Sequence, residues 1–204
     1  MRKAAHVLSV VLHPVWMPTL ALMLAFAIDP HLTFAFSRQG QWIIVGVVFI
    51  MTALFPASSM LMLWRSGMVS QLAMPKREER ILPYLLTLIY FCMAYFLLRR
   101  LPNNTSTLAL FTGIILALAA VVLISLRWKV SAHMTGIGGL LGMVFGLIIV
   151  HGVQAEFLPL LFITTGALGT ARLLASDHTP AQIYVGTIIG LVAVFVCLVF
   201  RIYY

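Results

Sequence analysis

Along the chain, long apolar runs alternate with short polar breaks, and no segment keeps the strict two-residue alternation of a half-buried strand. The runs fall at about 7–28, 42–64, 82–98, 107–126, 134–151, 157–171 and 182–200. Most approach the roughly 20 residues that carry a helix across about 30 Å of hydrocarbon. The pattern therefore predicts an all-α polytopic membrane bundle of six or seven transmembrane helices. The weakest run is the first, because His13-Pro14 and Pro18 interrupt it and make it kinked, tilted or re-entrant. Its Arg2-Lys3 start and Ala25-Phe26-Ala27 triplet imitate a signal peptide, but the run exceeds the about 7–15 apolar residues of a signal core. It is expected to remain in the mature protein.

Composition agrees with this pattern. Of 204 residues, 62% are hydrophobic and 9% charged, and the mean hydropathy of +1.07 lies far from that of a soluble domain. No 20–50-residue repeat, low-complexity tract or long hydrophilic linker divides the chain, so residues 1–204 read as one integral membrane domain. Gly138, Gly142 and Gly146 recur every four residues, as do Gly186 and Gly190, which marks seams where two helix backbones approach closely. The net charge of +8 does not indicate nucleic acid, since no basic patch is interleaved with aromatics on a soluble face. The cations occupy short loops and suit anionic lipid head groups. Cys92 and Cys197 lie far apart inside apolar runs and read as packing residues.

Three polar islands interrupt the runs: Lys76-Arg77-Glu78-Glu79-Arg80 with Pro83, Ser131-Ala132-His133, and Arg172 with His178 six residues on. If seven helices alternate, the loops near 65–81, 127–133 and 172–181 open on one side of the membrane, so all three islands share a mouth. Nine Lys and Arg lie on that side and four on the other, which puts the mouth in the cytoplasm. Setting aside Lys76, Arg80, Lys129 and Arg172 as chemical groups leaves five against four, which assigns no side.

Thr179-Pro180-Ala181-Gln182 reads as a capping box with proline at the first helical position, leaving His178 just outside a helix N-terminus, where anions are favoured. A turn over 173–177 is needed for Arg172 and His178 to meet one phosphate, the first as a bidentate donor, the second as nucleophile or base. Ser131 is placed to cap the fifth run, with His133 in its first turn. Lys76 and Arg80, four apart, project to one side of a helical turn, and Glu79 is placed to orient Arg80. His6 and His31 read as interfacial, His13 as part of a kink, and His151 as the end of a run on the opposite face. No His-Glu-x-x-His, close cysteine pair or acidic and histidine cluster has transition-metal spacing, so neither a metal nor another cofactor is expected.

The islands resemble the three signature motifs of the phosphatidic acid phosphatase type 2 superfamily, a divergent bacterial-type membrane member of which this chain would be. The family pattern is a Lys seven residues before Arg-Pro, then Pro-Ser-Gly-His, then Ser-Arg with His six after the Arg and Asp four after that His. Here the counterparts are Lys76, Arg80 and Pro83; Val130-Ser131-Ala132-His133; and Ala171-Arg172 with His178, all within about 76–182. The resemblance implies a bacterial inner-membrane phosphatase that needs no metal and acts on a lipid phosphomonoester or diphosphate. It implies that His178 forms a phosphohistidine, that His133 is acid and then base, and that Lys76, Arg80, Ser131 and Arg172 hold the phosphoryl oxygens. The chain departs from the pattern in three ways. Arg80 follows Lys76 by four rather than seven, which leaves Arg77 as an alternative; Val130 and Ala132 replace Pro and Gly; and Gln182 stands where the family has the Asp that orients the nucleophile. Gln182 hydrogen-bonds an imidazole but adds no charge, and Asp177, Glu78 or Glu79 are the alternative carboxylates. The competing functions are a non-catalytic lipid-phosphate binder and a transporter. For a transporter, few mid-membrane polar groups are evident, and Thr164-Thr165-Gly166 and Gly138-Gly139 are the best candidates, each with a packing explanation.

Overall fold

A computed structural model describes residues 2–72, 78–101, 105–175 and 178–203. Ten α-helices follow in order among the described residues: α1 (Arg2–Val11), α2 (Met17–Ile28), α3 (Pro30–Ala35), α4 (Arg38–Phe49), α5 (Phe55–Arg65), α6 (Ile81–Leu98), α7 (Thr105–Ser125), α8 (Ala132–His151), α9 (Leu158–Ala175) and α10 (Pro180–Val199). No strand occurs among those residues. Seven helical segments are long and apolar enough to cross a membrane, each within a few residues of an apolar run in the sequence. The protein is a polytopic helical membrane bundle.

Side chains such as Leu123 and Ile163 are 66% and 68% exposed on the outer surface. In water such a surface would drive association, whereas in hydrocarbon it is solvated. The polar backbone is enclosed in helices, the only open-chain arrangement that satisfies its N–H and C=O groups within a bilayer.

Prolines shape two of the spans. Leu12–Trp16 breaks the first: His13 is extended, its Nδ1 accepts from the Val15 N–H, and Pro14 opens a 3-10 turn. The kink expected from His13-Pro14 is therefore present. Pro14–Ile28 by itself reaches from His13, which sits edge-on to His133 at the start of α8, to Asp29, which bonds His151 at its end. α1 packs instead along α9. In the second span, Pro56 offers no N–H and crowds the carbonyl four residues back; the strain is absorbed in a π-turn over Ile50–Leu54, where the Phe55 N–H reaches Ile50.

α8 lies at the centre and pairs most extensively with α10. The glycine seams are the reason. A Cβ on Gly138 would enter the Thr187 carbonyl, one on Gly142 the Leu191 carbonyl, and one on Gly190 the Thr135 carbonyl, so each helix fits the other only where side chains are missing. This close pairing brings the N-termini of α8 and α10 side by side: the Ser131 N–H donates to the Gln182 carbonyl at 3.3 Å. Both helices thus present the positive ends of their dipoles at one mouth.

Candidate functional site at the starts of α8 and α10

The capping box at α10 forms as its sequence indicates. The Thr179 hydroxyl accepts from the Gln182 N–H at 3.4 Å, and Gln182 Oε1 accepts from the Thr179 N–H at 3.2 Å. That backbone donor also identifies the amide oxygen of Gln182, because an N–H needs an acceptor. Since His178 Nδ1 lies 3.0 Å from the same oxygen, it must carry a proton and donate it. The imidazole is thereby held in one tautomer, with the lone pair on Nε2, as a nucleophile requires. Gln182 orients His178 as the family's Asp would, without adding negative charge.

His178 is buried. Burial is the main reason its imidazole is lowered from the usual 6.5 to about 4; the Gln182 hydrogen bond pulls it up, and the cations of Lys129, Arg172 and Arg80 push it further down. The ring is therefore neutral at pH 7. His133, two residues after Ser131 in the first turn of α8, donates from Nε2 to the Ser9 carbonyl at 3.0 Å, which leaves Nδ1 for any ligand. The charge of Arg172 acts on both His133 and His178, and His178 also acts on His133. His133, His178 and Arg172 thus share one mouth, with Arg80.

Arg80 ends a 3-10 turn over Glu78–Arg80 and is buried at the head of α6, where its guanidinium bonds the Tyr84 side chain one turn on. The Glu79 carboxylate accepts from the Ser70 N–H at 3.3 Å and the Ser70 hydroxyl at 2.9 Å, tying down the loop after α5. Lys76, Arg77 and Asp177 lie outside the described residues. Ser131 occupies the N-cap position of α8 as expected but caps nothing with its side chain. Its fully buried hydroxyl has no hydrogen-bond partner among the described residues, so that oxygen is available to a ligand. α9 continues to Ala175, three residues into the stretch where the sequence required a turn.

Three contributors escaped the sequence reading. Ser9 supplies the carbonyl that orients His133. His13 sits edge-on to His133, with centroids 5.1 Å apart and planes at 81°. Tyr84 anchors Arg80. A signal did exist for His13, since a histidine at a proline break is already at a special backbone position. Nothing in the sequence distinguishes Ser9 or Tyr84.

Beside the polar cluster opens an apolar chamber of about 540 Å³, bounded at its polar end by His13, Tyr84 and Ala132 and walled by residues such as Met60, Phe91 and Leu118. Its volume is within the range of small-molecule sites. The whole arrangement offers a cationic, hydrogen-bonding mouth for an anion, a histidine with an oriented lone pair, and an adjoining space for an apolar group. No protein-family model, curated protein or solved structure matches this chain.

Proposed function

We propose that the protein is a lipid-phosphate phosphatase of the bacterial inner membrane, working without a metal through a phosphohistidine, as the motif resemblance implies. The observation that carries this reading is the Gln182–His178 hydrogen bond close to several cations: a neutral imidazole whose Nε2 has no hydrogen-bond partner among the described residues, near Arg80, Arg172 and Lys129. A packing histidine needs neither a fixed tautomer nor three cations that disfavour its own protonation.

In this reading the lipid phosphate enters with its tail in the apolar chamber and its phosphoryl oxygens against Arg80, Arg172, the Ser131 hydroxyl and the helix N-termini. Lys76 is the further cation that the motif resemblance supplies. His178 Nε2 attacks phosphorus, a P–N bond forms, and the P–O bond to the lipid breaks. The lipid phosphate, bound as the monoanion, gives its proton to His133 Nδ1, the nitrogen not held by Ser9, and the departing oxygen takes it from there. Water then attacks phosphorus, gives its proton back to His133 Nδ1 and breaks the P–N bond, which releases inorganic phosphate. The cations stabilise charge on the equatorial oxygens in both steps. His13, edge-on to His133, limits how that ring can turn.

Phosphate release from a panel of lipid monophosphates and diphosphates by the detergent-purified protein, with His178→Ala as control, tests the proposal. Release lost in the variant supports it. A wild type that binds these lipids but releases no phosphate would replace it with the lipid-phosphate binder, the role favoured if Gln182, lacking charge, leaves His178 too weakly activated.

A further inference from the structure

At the opposite end of α8, roughly 27 Å from His133 at 1.5 Å per residue, lies a second cluster that the proposed phosphatase does not use. Asp29, in the break between α2 and α3, is completely buried. Its Oδ2 lies 2.6 Å from His151 Nδ1, and its Oδ1 lies 3.4 Å from His31 Nδ1 and accepts the His31 N–H at 2.9 Å. No Lys or Arg among the described residues pairs with this carboxylate. The two imidazoles face each other, with centroids 4.6 Å apart. One ligand-capable atom from each of the three residues lies within 4.8 Å of the other two.

We infer that Asp29, His31 and His151 form a binding site for a divalent transition-metal ion of the zinc class, with one coordination position open to solvent. A fully buried carboxylate is costly without a cation beside it, and no Lys or Arg among the described residues supplies one. A divalent ion between the three side chains supplies it. Two imidazole nitrogens and one carboxylate oxygen suit zinc, cobalt or iron(II) rather than calcium or magnesium, which prefer all-oxygen sets. Bonds of about 2.0–2.2 Å place tetrahedral ligand atoms roughly 3.3–3.6 Å apart. The 3.4 Å separation of His31 from Asp29 already falls in that range, the 2.6 Å separation of His151 from Asp29 is shorter and opens as the ion enters, and the His31 side chain, 67% exposed, is free to turn. Its exposure also provides an entry path and the open fourth position.

The surroundings fit metal ligation as well. With His151 Nδ1 bound to the metal, the single N–H of the neutral ring is on Nε2, and the Ser106 hydroxyl 3.5 Å away accepts it. Such an outer hydrogen bond fixes the ring of a metal-bound histidine. Asp29 and His31 border the α2–α3 break while His151 ends α8, so the ion would join two separate parts of the bundle.

The purified full-length protein in detergent is titrated with Co²⁺ by visible absorption and with Zn²⁺ by calorimetry, with His31→Ala and His151→Ala in parallel. The expected result is one equivalent bound by the wild type, with affinity reduced at least about 100-fold when either histidine is removed, and by about 10-fold or more for Ser106→Ala. His31→Ala is the decisive variant because the residue is exposed and leaves the Asp29–His151 bond in place, so the metal-free protein should keep its thermal midpoint. Failure of the wild type to bind one equivalent overturns the inference. So does binding that persists in His31→Ala but disappears in His133→Ala, which would place the ion at the other mouth.

Discussion

The two ends of α8 carry one histidine each, and their neighbours have opposite charge. At the N-terminal end His133 sits among Arg172, Arg80 and the starts of two helices, surroundings suited to an anion. At the C-terminal end His151 meets the buried Asp29 and the His31 ring, surroundings suited to a cation. The residue type is the same, so the difference lies in the partners and in the helix end that each group faces. Helix polarity reinforces it: the dipole is positive at the His133 mouth and negative at His151. A membrane helix can therefore present two unlike sites through one side-chain chemistry, provided that its ends emerge at different faces.

The strongest way to break this comparison is at the anionic-ligand end. His178→Ala is expected to lower phosphate release by at least about 10³-fold, because it removes the nitrogen that would form the P–N bond; the helical circular dichroism should be unchanged. Residual release above that level would mean that His178 is not the nucleophile. Arg172→Ala should cost about 10²–10³-fold in kcat, with Arg172→Lys recovering only part of it, since a single ammonium replaces a planar fork. Equal loss in both variants would indicate that charge alone matters there.

Gln182 sharpens the comparison more gently. Gln182→Leu removes the acceptor from His178 Nδ1 and one half of the capping box, and should cost about 10-fold in rate and about 1 kcal/mol in stability. Gln182→Asp should raise activity or leave it unchanged, because it keeps the acceptor and adds charge. A large loss on that change would show that the amide, rather than a hydrogen-bond acceptor in general, is required.

Two further measurements address what both ends share. Gly190→Ala inserts a methyl group into the Thr135 carbonyl, on the seam that holds α8 against α10, and should destabilise the protein by about 1–3 kcal/mol in thermal unfolding. Gly166→Ala, where a Cβ meets nothing, should leave the midpoint unchanged. The smallest effect is in pH. Because the folded protein holds His178 near 4 against an ordinary 6.5, it favours the neutral ring. The stability that this neutral ring contributes is complete above about pH 6.5 and is lost as pH falls toward 4. The acid limb of kcat/KM is expected near pH 4 for the same reason, and a limb near 6.5 would mean a solvated histidine.

Much of the architecture was legible in the chain because membrane helices are specified locally. Each apolar run has the length and hydropathy to cross by itself, so the seven segments follow from residues that are neighbours in sequence. The four-residue glycine spacing and the Thr179–Gln182 capping box were readable for the same reason: each is contained within one or two helical turns. His13-Pro14 announced a kink, but nothing local announced that it would carry His13 to His133, 120 residues further on.

Sites that join distant elements were legible only as far as polar residues stood out against an apolar background. Arg80, Ser131, His133, Arg172, His178 and Gln182 did, whereas Ser9 did not, because its contribution is a backbone carbonyl that every residue possesses. Asp29 and His31 lie two residues apart and resemble an ordinary interfacial turn, and His151, at a separation of 122 residues from Asp29, gives no spacing to read. The sequence by itself determined that the chain crosses a membrane as helices, to within a few residues where the seven spans lie, and which polar groups interrupt them. Only the tertiary structure decided which of these groups meet, because long-range pairing depends on how helices pack through gaps such as the α8–α10 glycine seam, and no local pattern encodes that choice.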